Sequence, residues 1–271
     1  MHVVGVIAEY NPFHNGHKHH LDETRRLTGC DFLVVAMSGA FSQRGEPALV
    51  DKWVRARMAL LSGADLVVEL PAVFALRTAD HFAAGGVQLL SLMGVDGLSF
   101  GCETGSLRAL NEMSQVLDKE PPELTRLIRA HLEEGKSHAR ARGEALAECL
   151  KLPPELVNAP NTVLALEYLR ANRALEKPMK VLVVKRTGEY HSNEMGPMAS
   201  ASAIRKALYD GREREAFEAM PESAATLIRA GGWAKLSNMA ALDNLLLYRL
   251  RALEAAQIAA LHRLVGLVAI N

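Results

Sequence analysis

A chain of 271 residues, 49% of them hydrophobic, is long enough for one large or two modest domains around a real core. Its 31 Lys and Arg balance 31 Asp and Glu, which excludes the global basic excess that would by itself announce a nucleic-acid partner; such a partner would need a local patch. The apolar runs Leu66 to Ala75 and Ala256 to Leu261 are too short and interrupted to span a bilayer, Met1 to Glu9 lacks a basic start and a cleavage site, and the three cysteines Cys30, Cys102 and Cys149 have no CxxC spacing, so a cytoplasmic globular protein with buried thiols is expected.

The β-branched run Val3 to Ala8 predicts a first strand, and Gly16 to Leu27 predicts an amphipathic helix after a polar turn. Asp31 to Met37 reads as a second buried strand, Asp51 to Ser62 as a helix, Ala64 to Leu70 as a third strand, Thr78 to Met93 as a helix and Asp96 to Phe100 as a fourth strand. From Ser106 to Arg173 the pattern is helical, broken at Pro121-Pro122 and Pro153-Pro154. Lys180 to Lys185 returns as a strand, and Ala199 to Asp210 reads as a helix whose start offers Ser200 and Ser202 as caps. After Gly231-Gly232 the remainder is expected to be helical. Strands spaced by helices of this length imply an α/β fold, a Rossmann-like doubly wound parallel sheet, whose ligands sit at the C-terminal ends of the strands. The expected domains are 1–210 with a helical insertion over about 106–175, and a helical subdomain over 211–271.

The strongest chemical signal is Glu9-Tyr10-Asn11-Pro12-Phe13-His14-Asn15-Gly16-His17, two imidazoles flanking a glycine at the start of a helix. Free N–H groups and partial positive charge at that helix start suit an anion, Gly16 lets backbone approach it, and His14 and His17 add hydrogen bonds or charge. A metal site among His14, His17, His19 and His20 is the alternative, but no carboxylate or cysteine stands at a standard ligand spacing beside them. Lys18 adds a cation that is either part of the site or solvent-facing. Ser38, Gly39, Gln43 and Arg44 lie in a long loop after the second strand, a site wall or a surface loop. Glu69, in an apolar strand, is either salt-bridged in the core or facing the site, because a carboxylate is costly to bury alone. Basic residues gather from Arg126 to Arg142 and from Arg170 to Arg186, the first group being readable as a solvated face interleaved with glutamates.

His14-Asn15-Gly16-His17 resembles the HxGH signature of the nucleotidylyltransferase superfamily. The blocks at residues 5–21, 37–53 and 63–71, with Phe82 to Gly86, Phe100 to Glu103, Pro160 to Tyr168 and Ser200 to Leu208, resemble one branch, the tRNA(Met) cytidine acetate ligases. The resemblance implies an enzyme that activates acetate with ATP as acetyl-adenylate, releases pyrophosphate and passes the acetyl group to N4 of the wobble cytidine of elongator tRNA(Met). It implies ATP contacts from Ile7 to His20, that is Ile7, Ala8, Glu9, Tyr10, Asn11, Pro12 and Phe13 leading into His14, Asn15, Gly16, His17, Lys18, His19 and His20. Further contacts fall on Gly101, Asn161 and Arg186, and Ser202 and Arg205 match the serine-rich second phosphate motif, whose alternative reading is an ordinary cap with a surface Arg. His14, His17 and Lys18 are the catalytic candidates.

Magnesium is expected with the triphosphate, although no acidic pair marks a protein-held site. The chain departs from the family at His19 (usually Tyr), Ala40 (Asn) and Cys102 (Ser), and Leu242 to Leu250 resembles the start of a terminal helical portion that is expected to be cut short here. The alternatives are a small-molecule nucleotidylyltransferase and a tRNA-binding homologue without full activity.

Overall fold

The computed structural model describes residues 1–186, 195–231, 237 and 239–260. Five strands, β1 (Val3–Ala8), β2 (Phe32–Ser38), β3 (Leu66–Leu70), β4 (Gly97–Cys102) and β5 (Lys180–Lys185), form one parallel sheet in the order β3-β2-β1-β4-β5. In chain order the helices are α1 (Asn15–Thr28), α2 (Lys52–Leu61), α3 (Ala72–Ala75), α4 (Ala79–Leu92), α5 (Leu107–Lys119), α6 (Pro122–Glu133), α7 (His138–Leu150), α8 (Pro154–Val157), α9 (Pro160–Arg173), α10 (Ala201–Tyr209), α11 (Glu213–Glu218), α12 (Glu222–Gly231) and α13 (Met239–Ala252).

The chain divides into two compact units, Met1–Leu236 and Ser237–Asn271. In the second, α13 carries exposed Leu245, Leu247 and Tyr248. The expected helical stretches at 232–236 and 261–271 lie outside the described residues. No helix among the described residues is long and apolar enough to cross a membrane.

Alternation along the strands creates two cores, because successive side chains point to opposite faces of a sheet. Val3, Ile7, Val34, Ala36, Leu98 and Phe100 face one way and pack with residues of α4, α5 and α9. Val4, Val6, Leu33, Val35 and Met37 face the other and pack with residues of α1, α2, α10, α11 and α12. Gly86 lets α4 lie close on β1, since a Cβ there would stand 2.7 Å from Ile7.

Local chemistry sets the helix ends. Asp51 caps α2 by accepting from Val54 N at 2.9 Å, Ser106, Ser137 and Ser200 cap α5, α7 and α10, and Pro122, Pro154 and Pro160 occupy first helical positions, where a missing N–H costs nothing. Helix α1 closes on Gly29 at φ 60°, the left-handed cap that glycine favours.

The first of the expected basic patches is largely neutralised, and the second only at its start. Arg126 pairs with Glu123, Arg140 with Glu144, Arg142 with Glu167, and Arg170 and Arg173 with Asp118. Glu69 is exposed on edge strand β3 and holds Lys52 at 2.5 Å, so its carboxylate is salt-bridged at the surface and meets no desolvation cost.

Candidate functional site

In a sheet ordered 3-2-1-4-5 the direction of winding reverses between β1 and β4, and a crevice opens beyond the C-terminal ends of those strands. A cavity of about 600 Å³ lies there, walled by the ends of β1, β4 and β5 and by the first turns of α1, α9 and α10. Three helix N-termini therefore meet at one cavity, each with partial positive charge, although at the start of α1 the N–H groups of Asn15, Gly16 and His17 already donate to Ala219 O, His14 Nδ1 and His14 O.

The turn from β1 into α1 carries the most specific geometry. It passes through Tyr10 at φ 48° and a cis Asn11-Pro12 bond. His14 is the N-cap of α1, and its Nδ1 accepts the Gly16 N–H at 3.0 Å. The Nδ1 of His17 accepts the His14 N–H at 3.3 Å. An imidazole nitrogen that accepts carries no proton, so both neutral rings hold theirs on Nε2. The rings stack with centroids 3.7 Å apart and an interplanar angle of 30°. Gly16 is required by this fold-back, because a Cβ there would lie 2.8 Å from His14 Cε1.

Electrostatics keeps these rings neutral. Burial lowers His14 to about 3, with help from the positive charge of Arg186. Enclosure also lowers His17, with His14, Arg186 and His20 adding to the effect. His20 is lowered to about 4 by burial and then by Arg186 and His19, and its Nε2 lies 3.0 Å from Ser99 Oγ, which is itself 2.7 Å from Thr24 Oγ1. The result is a pocket with neutral donors beside a guanidinium, suited to an oxyanion.

Most of the expected site residues meet here. Ile7, Ala8, Glu9, Tyr10 and Asn11 line the cavity from the end of β1, and His14, Gly16, His17, His19 and His20 from α1. Gly101, Asn161, Arg186, Ser202 and Arg205 line it from the other elements, as do Gln43 and Arg44. Arg205 donates to Asn11 O at 2.8 Å.

Six expected residues stand outside the wall, among them Ser38, which is the last residue of β2, and Gly39 beside it. Pro12 and Phe13 are buried, with the Phe13 and Tyr10 rings 4.7 Å apart. Asn15 ties α1 to its neighbours, donating to Pro197 O at 2.8 Å and Glu218 O at 3.2 Å. Lys18 is held by Asp22 at 2.5 Å along the same helix, so its ammonium is engaged away from the cavity.

Other residues of the site carry little sequence signal. Arg55, wholly buried, donates to Glu9 O at 2.6 Å, Ser38 O at 3.1 Å and Val50 O at 3.2 Å, and also to Gly39 O. Burial lowers this guanidinium to about 10, opposed by Glu9, Asp51 and Glu69. It fixes the loops leaving β1 and β2. Asn11 does similar work, its Oδ1 accepting from Leu49 N at 2.7 Å. Tyr10 and Ser42 line the cavity, and their buried hydroxyls have no partner among the described residues. Burial raises the Tyr10 phenol, so it stays a protonated donor. Phe82, Phe100, Leu164 and Tyr168 supply an apolar side to the cavity.

No group of three or more His, Cys, Asp or Glu among the described residues is arranged to hold a metal ion. Glu9 and Glu46 are the carboxylates that line the cavity, so a magnesium ion there would draw most of its ligands from phosphate and water.

The comparisons with known proteins agree with this geometry. A tRNA(Met) cytidine acetate ligase of Clostridium perfringens is 39% identical over 252 residues, covering 88% of this chain and 63% of the relative. One from Syntrophotalea carbinolica is 47% identical over 219 residues, covering 78% of this chain and 52% of the relative. The chain thus spans between about half and two thirds of the length of these relatives. Among solved structures, Thermotoga maritima TmcAL bound with alpha-thio ATP superposes with a TM-score of 0.75 at 35% identity, over 84% of this chain and 55% of that one. The HIGH Nucleotidyl Transferase model matches residues 1–266, and with the HNGH turn seated on the cavity, the chain belongs to the HIGH nucleotidyl transferase family.

Proposed function

We propose that the chain carries the ATP-dependent activity of a tRNA(Met) cytidine acetate ligase. The observation that carries this reading is the identity of 39% and 47% to proteins of that name, in a chain whose HNGH turn lines the cavity. A carboxylate oxygen of acetate attacks the α-phosphorus of ATP, the bond from that phosphorus to the bridging oxygen breaks, and pyrophosphate leaves with the electron pair. The product is acetyl-adenylate. The N4 amine of the wobble cytidine of elongator tRNA(Met) then attacks the acetyl carbonyl, AMP departs, and the amine loses a proton.

The residues act on charge and position. His14 and His17 offer Nε2–H groups to the phosphate oxygens, where negative charge grows in the transition state. Ser202 and Arg205, at the start of α10, take the β- and γ-phosphates. Asn161 and Arg186 hold the nucleoside side. Magnesium would accompany the triphosphate and supply charge neutralisation there. The transfer step needs mainly orientation, because a mixed anhydride is already reactive.

The test is mass spectrometry of tRNA nucleosides after incubating the protein with ATP, acetate and unmodified tRNA(Met), alongside exchange of labelled pyrophosphate into ATP. The expected outcome is N4-acetylcytidine and acetate-dependent exchange. Exchange that depends on a phosphorylated metabolite instead of acetate would replace this reading with a small-molecule nucleotidylyltransferase.

A further inference from the structure

Asn161 lies in the first turn of α9 and lines the cavity, and its carboxamide is not free to turn. Its Nδ2 donates to Glu103 Oε1 at 2.6 Å. The other carboxylate oxygen, Oε2, accepts from Thr162 Oγ1 at 3.3 Å and from Cys102 Sγ at 3.8 Å. An ionised carboxylate offers acceptors only, so whatever faces it must donate. A planar amide that gives its NH2 to Glu103 leaves its carbonyl oxygen on the opposite branch. Glu103 itself is half-buried and does not line the cavity, whereas Asn161 does, as do Gly101 and Arg186 at the ends of β4 and β5.

We propose that Glu103 is a positioning residue that locks the Asn161 carboxamide with its carbonyl oxygen toward the ligand, so that the cavity selects a nucleotide presenting a hydrogen-bond donor there. This rests on the ATP reading above. Two donors of ATP have the required chemistry, a ribose hydroxyl and the exocyclic amine of adenine. A nucleotide with an acceptor at that point, such as the 6-oxo group of hypoxanthine, would meet the Asn161 oxygen lone pair to lone pair. The selection is thus set by a residue that does not itself line the cavity.

Glu103→Gln tests the lock without changing its size. Its amide can give an N–H to Asn161, which frees the Asn161 carboxamide to turn over. Calorimetric titration of the wild type, E103Q and N161A with ATP, 2′-deoxyATP, 3′-deoxyATP and ITP needs neither acetate nor tRNA. The wild type should bind one of the three analogues about tenfold more weakly than ATP, the usual scale for one lost hydrogen bond, and the analogue affected identifies the donor. E103Q and N161A should each bring that preference down to about twofold or less. Because the preference is a ratio within one variant, a shared loss from impaired folding cancels.

Retention of the wild-type preference in E103Q or in N161A overturns the proposal, as does a wild type that binds all four nucleotides alike. A wild type that binds none of them overturns the ATP reading itself, and this inference with it.

Discussion

Charge is handled in opposite ways in the helical insertion between β4 and β5 and around the cavity. In the insertion, cations are matched with anions. Glu167, 4% exposed at its side chain, takes Arg142 at 2.7 Å and Arg170 at 2.8 Å, Asp118 takes Arg170 and Arg173, and Lys136 sits between Glu134 and Glu144. At the cavity, cations are held mainly by neutral groups. Arg55 is satisfied by four carbonyl oxygens, Arg205 donates to Asn11 O at 2.8 Å with Glu46 standing off at 3.8 Å, and the positive field of Arg186 reaches three uncharged imidazoles. Paired charges cancel and serve structure. Charges held by neutral dipoles keep their field, which stays available to an anionic ligand.

This contrast can be broken by substitution, and the largest effect is expected at Arg55. Arg55→Met strips four carbonyls of their donor and should lower stability by about 3 kcal/mol or more in urea denaturation. Arg55→Lys should recover less than half of it, since an ammonium cannot span the fork a guanidinium reaches. An unchanged midpoint in R55M would mean that the cavity does not depend on this cation.

His17→Ala should reduce acetate-dependent pyrophosphate exchange by about a hundredfold, the scale for losing one oxyanion donor, while stability falls by only about 1 kcal/mol, the scale for the capping bond it makes to the His14 N–H. Equal losses of rate and stability would move His17 from the site to the framework.

Acid sharpens the same contrast. The folded protein keeps His14 near 3 and His20 near 4, whereas an unfolded chain protonates histidine near 6.5. The unfolded state therefore binds more protons below that value, so stability is full above about pH 6.5 and falls toward pH 4, by about 2 kcal/mol for each such imidazole at pH 5. His20→Gln should flatten the stability-pH curve over this window. A slope unaffected by H20Q would assign the acid sensitivity elsewhere.

The smallest effect belongs to the insertion. Arg142→Met leaves Glu167 one of its two arginines and should cost about 1 kcal/mol of stability, with ATP affinity unchanged. A fall in ATP affinity there would join the insertion electrically to the cavity.

Much of the frame is legible in the sequence because it depends on local pattern. The run VVGVIA is apolar over the full length of β1, VLVV is apolar between the two terminal lysines of β5, and Asp51 stands where a cap for α2 is needed. The HNGH turn is legible for the same reason, since helix start, glycine and imidazoles are adjacent. Arg55 is not. Within KWVRARMALL it looks like one more surface cation, and only the parallel pairing of β1 with β2 brings the carbonyls of Glu9, Ser38 and Gly39 to it.

The same holds for Glu103, whose partner Asn161 is 58 residues away. Nothing in the sequence sets Phe82, Phe100 and Tyr168 apart as cavity-lining, because a cavity wall and a core use the same residues. The cluster from Arg126 to Arg142, and Arg170 with Arg173, suggest a patch only until the folded chain sets acids beside them. Lys18 is the converse case, its i,i+4 partner Asp22 being visible in the sequence.

The stacked histidines have a consequence for the cost of gripping a ligand. With both Nδ1 atoms spent on backbone N–H groups, each ring has one place for its proton and one direction in which to offer it. An arriving phosphate need not trigger tautomer exchange, ring flipping or proton transfer before it is held. The orientation of the donors is set when the first turn of α1 forms, so reorganisation energy that a flexible site would spend at each turnover is met once, during folding.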